Sequence, residues 1–290
     1  MSISTPHHRP KARTRTRVLR VEPGRVWVKS DQLATEEPLE IRLLASSQAE
    51  PGLGKTLTVT MRTPGHDFEL AAGFLLAEGL VNEREGIRRI AYCTDPGQPQ
   101  QYNVVMVELN SQPDLAPLKR HFHTTSACGV CGKASLENLQ RHYAPLDSSW
   151  KVSRSVIAQL PAQLRAQQTQ FALTGGLHAA ALFDRGGNLL ALREDVGRHN
   201  ALDKLLGWAL LENRLPLSQH ILLVSGRASY ELAQKALAAG VPVLCAISAP
   251  SSLAVALAQA FNLTLIGFLR ESFNVYSGAE RLELAAAFEL

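Results

Sequence analysis

The sequence predicts an α/β protein, with a C-terminal three-layer α/β/α domain built on a mixed sheet and a smaller N-terminal α+β domain. Three observations carry that prediction. First, the short runs Ile221–Ser225, Val241–Ile247 and Leu263–Phe268 are apolar without alternation. Helical stretches of about ten residues separate them, the pattern of a βαβαβ unit whose parallel strands are buried on both faces. Second, Ala179–Phe183 and Leu189–Leu192 flank Asp184-Arg185-Gly186-Gly187-Asn188, a hairpin signal that makes the sheet mixed. Third, the N-terminal part alternates apolar and polar residues, as half-buried antiparallel strands do.

In chain order, residues 1–20 read as a disordered basic arm. His7 to Arg17 contains no acidic residue and little that could be buried. No aromatic residues interleave with its basic ones and no nucleic-acid-binding motif follows, so it reads as a solvated tail with no nucleic-acid partner. Residues 21–118 form the N-terminal α+β unit. Its strands are Arg25–Lys29, Leu39–Leu43, Leu57–Arg62 and Asn103–Leu109. Thr63-Pro64-Gly65 is a turn, and Phe68–Glu78 is a mostly buried helix stopped by Gly79. Residues 119–150 hold a loop with Cys128-Gly129-Val130-Cys131 and a short helix marked by Leu136, Leu139 and Tyr143, with a connection from Pro145 to Arg154. Residues 151–290 form the C-terminal domain. Its helices carry Leu202, Leu205, Leu206 and Leu210 (capped by Asp195), then Tyr230–Ala239 and Ser252–Phe261.

The chain has 290 residues, 46% hydrophobic and 19% charged, a net charge of +4 and a pI of about 9.0. That is an ordinary globular composition. No apolar run approaches the length of a bilayer and no secretory h-region is present, so a cytoplasmic protein without a membrane partner is expected. In that reducing compartment a Cys-x-x-Cys is more often catalytic or metal-binding than a disulfide. Cys93 and Cys245 lie in apolar surroundings and read as inert core residues.

The chemistry is expected at the carboxyl edge of the C-terminal sheet, where helix N-termini point backbone N–H groups outward. Three successive βα loops there suit anions: Ser225-Gly226-Arg227-Ala228-Ser229, Ser248-Ala249-Pro250-Ser251-Ser252 and Arg270-Glu271-Ser272. Each alone resembles an ordinary cap; together they suggest a phosphate-bearing ligand with several anchors. Thr174-Gly175-Gly176-Leu177-His178 belongs to the same face. So does Arg193 to Asn200, which crowds Arg198, His199 and Asn200 beside acidic residues and suits a purine base or phosphates.

The cysteine pair has three readings. Cys128 and Cys131 could hold zinc with His121 and His123, but no second Cys-x-x-Cys completes a structural site. A thioredoxin-type dithiol would sit at a strand end. A nucleophilic or sulfur-carrying thiol fits better: Lys133 and a following helix N-terminus favour thiolate, and Gly129 and Gly132 allow movement.

These segments resemble the formate dehydrogenase accessory sulfurtransferases, the FdhD family, over nearly the whole chain after the arm. The resemblance rests on seven ordered motifs. They are Met61–Asp67 with Gly73–Gly79, Ala127–Gly132, Thr174–Ala180, Glu194–Lys204, Ser225–Ser229, Ser248-Ala249-Pro250, and Gly267–Arg270 followed by Asn274-Val275-Tyr276. The resemblance implies a protein that takes sulfur from a cysteine desulfurase as a persulfide. It passes that sulfur to the molybdenum bis(molybdopterin guanine dinucleotide) cofactor, which activates formate dehydrogenase. It implies a persulfide on Cys128 with Cys131 assisting, and no permanent metal. The cofactor-binding segment is implied to begin at Phe268 and to run through Leu269, Arg270, Glu271, Ser272 and Phe273. A homodimer and a cytidine deaminase-like C-terminal fold are also implied. His178-Ala179-Ala180 is similar to a deaminase His-Ala-Glu without its Glu, so deaminase chemistry is not expected. The alternative function is a cofactor chaperone with structural or zinc-bound cysteines.

Overall fold

The computed structural model describes residues 9–44, 54–93, 100–111, 139, 143–147 and 149–284. The predicted cysteine loop, with Cys128 and Cys131, lies outside the described residues.

The C-terminal half is built on a six-stranded mixed sheet. Its strands are β8 (His178–Phe183), β9 (Leu189–Asp195), β10 (Ile221–Val224), β11 (Val243–Ala246), β12 (Thr264–Gly267) and β13 (Asn274–Ser277), in the order β13-β12-β11-β10-β8-β9. β10, β11 and β12 run parallel, while β8, β9 and β13 pair antiparallel to their neighbours. Every residue of β10, β11 and β12 is buried, as their unalternating apolar runs require. Successive side chains feed opposite cores. Leu222, Val224, Leu244, Ala246 and Leu265 face helices α4 (Arg198–Leu211), α5 (Tyr230–Ala238) and α6 (Ser252–Ala260). Ile221, Leu223, Val243, Cys245 and Ile266 face α2 (Arg154–Gln167), through Ile157, Leu160 and Leu164. This is the three-layer arrangement the sequence predicts. A two-residue strand just before α2, β7 (Val152–Ser153), pairs in parallel with β14 (Leu282–Glu283) and ties the two ends of this half together.

The N-terminal part contributes a four-stranded sheet, β4-β3-β6-β5, from β3 (Glu37–Leu44), β4 (Lys55–Arg62), β5 (Ile87–Tyr92) and β6 (Val104–Leu109), with helix α1 (Asp67–Ala77). Its core is continuous with that of the C-terminal half. Leu39, Ile41, Val105 and Val107 join Leu70 and Leu75 of α1, and these join Leu202 and Leu205 of α4, in one buried cluster. The join is close because two glycines cross. A Cβ on Gly73 would overlap the Asp203 carbonyl, and one on Gly207 would overlap the Glu69 carbonyl.

Within the predicted basic arm, the described residues from Arg13 onward differ from expectation. Arg13–Glu22 is strand β1, paired along its whole length with β2 (Arg25–Ala34) in a hairpin. The physical reason lies in Arg-Thr-Arg-Thr-Arg-Val-Leu-Arg-Val, which alternates and is rich in β-branched residues. Pro23-Gly24, with Gly24 at φ 76°, closes the turn. Charge alone suggests disorder, but the period of two decides the outcome. Two further corrections concern single residues. Gly197, not Asp195, is the N-cap of α4, because the Asp195 carboxylate is engaged by Lys204. Cys245 is fully buried, whereas Cys93 is only partly so, at the end of β5.

Candidate functional site

Because β8 runs antiparallel to β10, its first residue lies at the carboxyl edge of β10–β12, and so does the last residue of β9. The chain therefore delivers His178, Val196, Ser225, Ile247 and Leu269 to one edge. Helices α2 and α3 (Thr169–Thr174) close the side. The result is a cavity of about 500 Å³ whose lining includes Gly175, His178, Ser225, Leu269 and Arg270, all expected to bind ligand. The volume falls in the range of small-molecule sites. Arg165 of α2, stacked 4.5 Å over the Phe171 ring, supplies a second cation beside Arg270.

The loops are fixed before any ligand arrives. The Ala179 amide donates to Ser225 Oγ at 2.9 Å, and the Ser225 amide donates to the Ala179 carbonyl at 2.9 Å. The Ser225 hydroxyl keeps its own proton to offer. The loops after β10 and β11 are tied together: the Ala228 amide donates to Ala249 O (3.2 Å) and the Ser251 amide to Ala228 O (2.9 Å). Gly226 borders His178 and Arg198: a Cβ there would make ordinary contact, 3.4 Å from His178 Nδ1 and 3.8 Å from Arg198 Cδ, and only a larger side chain would crowd them. Arg198 Nε is buried without a hydrogen-bond partner among the described residues. That is the donor an anionic ligand would satisfy. Burial, then the charge of Arg198, hold His178 below the ordinary histidine range. The imidazole is therefore neutral at pH 7.

The Phe268–Phe273 segment forms the rim. Phe268 adopts φ 53°, an uncommon conformation for a bulky residue, and its side chain is 48% exposed. Its amide donates to Ser248 O at 3.1 Å, and the Leu269 amide donates to Ala246 O at 3.0 Å. These bonds turn Phe268 outward while Leu269 stays buried. Glu271 and Ser272 are exposed, whereas Phe273 packs on the core beneath α2. Arg227 is exposed on the loop after β10. His199 sits on the α4 side, with Nε2 3.5 Å from Ser229 Oγ and 3.9 Å from Glu231. Burial first, then Arg198 and Lys235, push its pKa down to about 4.

Much of the polar stretch 193–200 serves structure rather than ligand. Arg193 makes a two-pronged contact with Glu69. The Glu194 carboxylate accepts the Gln170 and Phe171 amides at the start of α3. Asp195 is fully buried and accepts from Lys204 Nζ at 2.6 Å, from the Thr63 amide at 3.1 Å and from the Gly197 amide at 2.8 Å. Asn200 does not reach the cavity. Its Nδ2 donates to Met61 O (2.7 Å) and Asp195 Oδ1 (3.1 Å), and its Oδ1 accepts from Thr60. These bonds join β4 to α4 and hold the turn that presents Arg198. The motif Met61–Asp67 is the other half of the clamp, where buried Arg62 forms an ion pair with Asp67 at 3.0 Å and Tyr92 donates to the same carboxylate.

Sequence reading misses α2, α3 and with them Arg165 and Phe171. The spacing of Ile157, Leu160 and Leu164 carries the signal for α2, and Pro161 within the helix obscures it. Among the described residues, no group of three or more His, Cys, Asp or Glu side chains is placed to hold a metal ion.

Comparison with known proteins places this arrangement. The family model described as the FdhD/NarQ family matches residues 34–283. A sulfur carrier protein FdhD from Mycolicibacterium paratuberculosis is 50% identical over 277 residues, covering 93% of this chain and 98% of the relative. Another, from Streptomyces coelicolor, is 51% identical over 288 residues, covering 94% and 96%. The crystal structure of an assigned formate dehydrogenase accessory protein from Desulfotalea psychrophila is similar too. It shows a TM-score of 0.71 and 26% identity, and covers 93% of this chain and 99% of that one. Matched through both halves of the clamp and through every loop of the cavity, the chain belongs to the FdhD/NarQ family.

Proposed function

We propose that this protein is a cytoplasmic sulfurtransferase in which Cys128 carries persulfide sulfur from a cysteine desulfurase to the molybdenum bis(molybdopterin guanine dinucleotide) cofactor of formate dehydrogenase. Family membership supports the sulfur-carrier role, since relatives of about half identity along nearly the full chain bear that name. The cavity at the carboxyl edge carries the acceptor side of the reading. Arg165 and Arg270 line it, and behind that lining, near His178, lies the buried Arg198 Nε, which has no hydrogen-bond partner among the described residues. Such donors suit a guanine nucleotide arm: cations and loop amides for the pyrophosphate, and neutral His178 with Ser225 for a base or ribose. A cavity of about 500 Å³ takes one arm of the dinucleotide cofactor rather than the whole.

The chemistry is displacement at sulfur. Cys128 thiolate attacks the outer sulfur of the donor's persulfide, the S–S bond breaks, and the donor thiolate leaves. Attack of Cys131 thiolate on the inner sulfur then releases hydrosulfide to the cofactor and leaves a Cys128–Cys131 disulfide, which a cellular thiol reductant reopens. A deaminase-like fold for the C-terminal half belongs to the same reading. Ala180 stands where a deaminase has its general acid/base Glu, so deamination does not follow. A homodimer is part of the proposal as well.

The test is intact-mass analysis after incubation with a cysteine desulfurase and cysteine. A gain of one sulfur in the wild type that disappears in Cys128→Ala is expected. Equal labelling of both proteins would remove Cys128 as the carrier.

A further inference from the structure

The β1–β2 hairpin is a ribbon of two ten-residue strands that pairs with no other strand among the described residues. A two-stranded ribbon alone is marginally stable in water. Its foot rests on the site: β2 packs against α3, and Ala34 Cβ comes within 3.7 Å of the position a Cβ would take on Gly176, a cavity-lining residue. The cross-strand register separates its two faces. One bears Arg20, Glu22, Lys29 and Asp31, whose charges pair with each other at 3.2 Å (Arg20–Glu22) and 3.8 Å (Lys29–Asp31). The same face carries Arg25 stacked 4.4 Å over Trp27.

The opposite face is unbalanced. Towards the tip it shows the cross-strand pairs Leu19–Val28 and Val21–Val26, between 51% and 69% exposed. Towards the foot it shows Arg13, Arg15 and Arg17, and it contains no acidic residue. None of these arginines has an ion pair among the described residues; Arg13 only donates to Gln32 at 2.8 Å. An exposed apolar patch beside unneutralised cations marks a docking surface.

We propose that this face docks a protein partner presenting an apolar patch flanked by acidic side chains. The partner would be seated beside the cavity mouth, as the recipient of the cavity's cargo must be. The identity of that recipient as cofactor-free formate dehydrogenase rests on the function proposed above. A second copy of this chain fits poorly. Full antiparallel overlap would lay the arginines of one ribbon on the apolar tip of the other with no acid to meet them, and tip-to-tip contact buries only four side chains per copy. Nucleic acid would satisfy the arginines but offers nothing to the apolar tip. The ribbon is about 34 Å long and its strands are about 5 Å apart. One face therefore supplies part of a standard interface, which suits a transient hand-off.

The test uses the full chain with Val21→Ser/Val28→Ser and, separately, Arg13→Glu/Arg15→Glu/Arg17→Glu. Binding to purified cofactor-free formate dehydrogenase from the same genome is measured by biolayer interferometry. Each variant is expected to bind at least about tenfold more weakly. The charge reversal should act mainly on the association rate and abolish its salt dependence. Persulfide loading of Cys128 is expected to remain at the wild-type level. The Lys versions of the three arginines should restore binding, which excludes misfolding as the cause. Unchanged dehydrogenase binding in both variants overturns the proposal. So does an altered oligomeric mass in light scattering with dehydrogenase binding intact, which would assign the face to a second copy. Arginine-dependent binding of a 20-base-pair DNA duplex in place of the dehydrogenase overturns it in favour of nucleic acid. Absence of loading on wild-type Cys128 would instead refute the sulfurtransferase reading and leave the docking measurement standing.

Discussion

Lys204→Met should uncouple the two halves of the protein. Lys204 is 1% exposed, and its Nζ donates to Asp195 Oδ2 at 2.6 Å and to the Thr63 carbonyl at 2.8 Å. Burial lowers its pKa and the Asp195 carboxylate opposes that shift, so the pair stands or falls together. Methionine fills the same volume but leaves a fully buried carboxylate facing no cation. Breaking a buried pair from one side costs about 3–5 kcal/mol, which for a chain of this size lowers the melting temperature by roughly 5–10 °C. Replacing both members, Asp195→Asn with Lys204→Met, should recover part of the loss, because no unpaired charge remains buried and an amide oxygen in the Oδ1 position still accepts from the Gly197 N–H and Asn200 Nδ2, while the Thr63 N–H loses its acceptor. Thermal unfolding followed by circular dichroism, run as a double-mutant cycle, measures the coupling. A single-variant loss below about 1 kcal/mol, or a double variant no better than Lys204→Met, would show that the buried pair does not hold together the clamp around Thr63.

Other substitutions probe the remaining links. At the helix crossing, Gly207→Ala would drive a methyl into the Glu69 carbonyl and against the Gly73 amide; a loss of about 3 kcal/mol or more in denaturant unfolding is expected. Stability against pH should carry two opposed slopes. Burial raises the Asp203 pKa to about 6, against the pull of Lys235, so its contribution is complete below about pH 4 and disappears as pH rises through 6. His199 is depressed to about 4, so its contribution is complete above about pH 6.5 and disappears as pH falls through 4. Asp203→Asn should therefore leave stability rising with pH between 4 and 6.5, and His199→Gln should leave it falling between 4 and 6. Beside the cavity, next to His178, Arg198→Met should weaken guanosine diphosphate binding in calorimetry by at least about tenfold while leaving the melting temperature within a degree or two.

The features legible in sequence are those with a strong local period. β10, β11 and β12 are buried on both faces, and a short apolar run bounded by turn residues suits little besides a central parallel strand. The loops that follow them are legible for the same reason, because a parallel strand fixes where its loop must emerge. The β8–β9 hairpin announces itself through Asp184 to Asn188. Less local information is lost. Asp195, Asn200 and Glu194 look like ligand groups because their partners, Lys204, Met61 and the α3 amides, lie on another element or in a six-residue helix too short to leave a period. A polar side chain satisfied by a distant backbone atom has the same one-dimensional signature as one awaiting a ligand. Charge misleads at Arg13–Arg17, where alternation with threonine outweighs repulsion between side chains that all point into water. The clamp between Met61–Asp67 and Glu194–Lys204 is visible in sequence only as two motifs; that they hold each other is a fact of the fold.

Sulfur is proposed to leave Cys128 for a cofactor held at the carboxyl edge of the sheet, and blocking that edge alone separates delivery from loading. The measurement is transfer of ³⁵S from persulfide-loaded protein to the molybdenum cofactor, made with Gly226→Leu. A leucine there would press on Arg198 and on His178, which lines the cavity. Full loading of Cys128, little ³⁵S on the cofactor and inactive formate dehydrogenase are expected. Transfer by Gly226→Leu at the wild-type rate would place the acceptor somewhere other than this cavity.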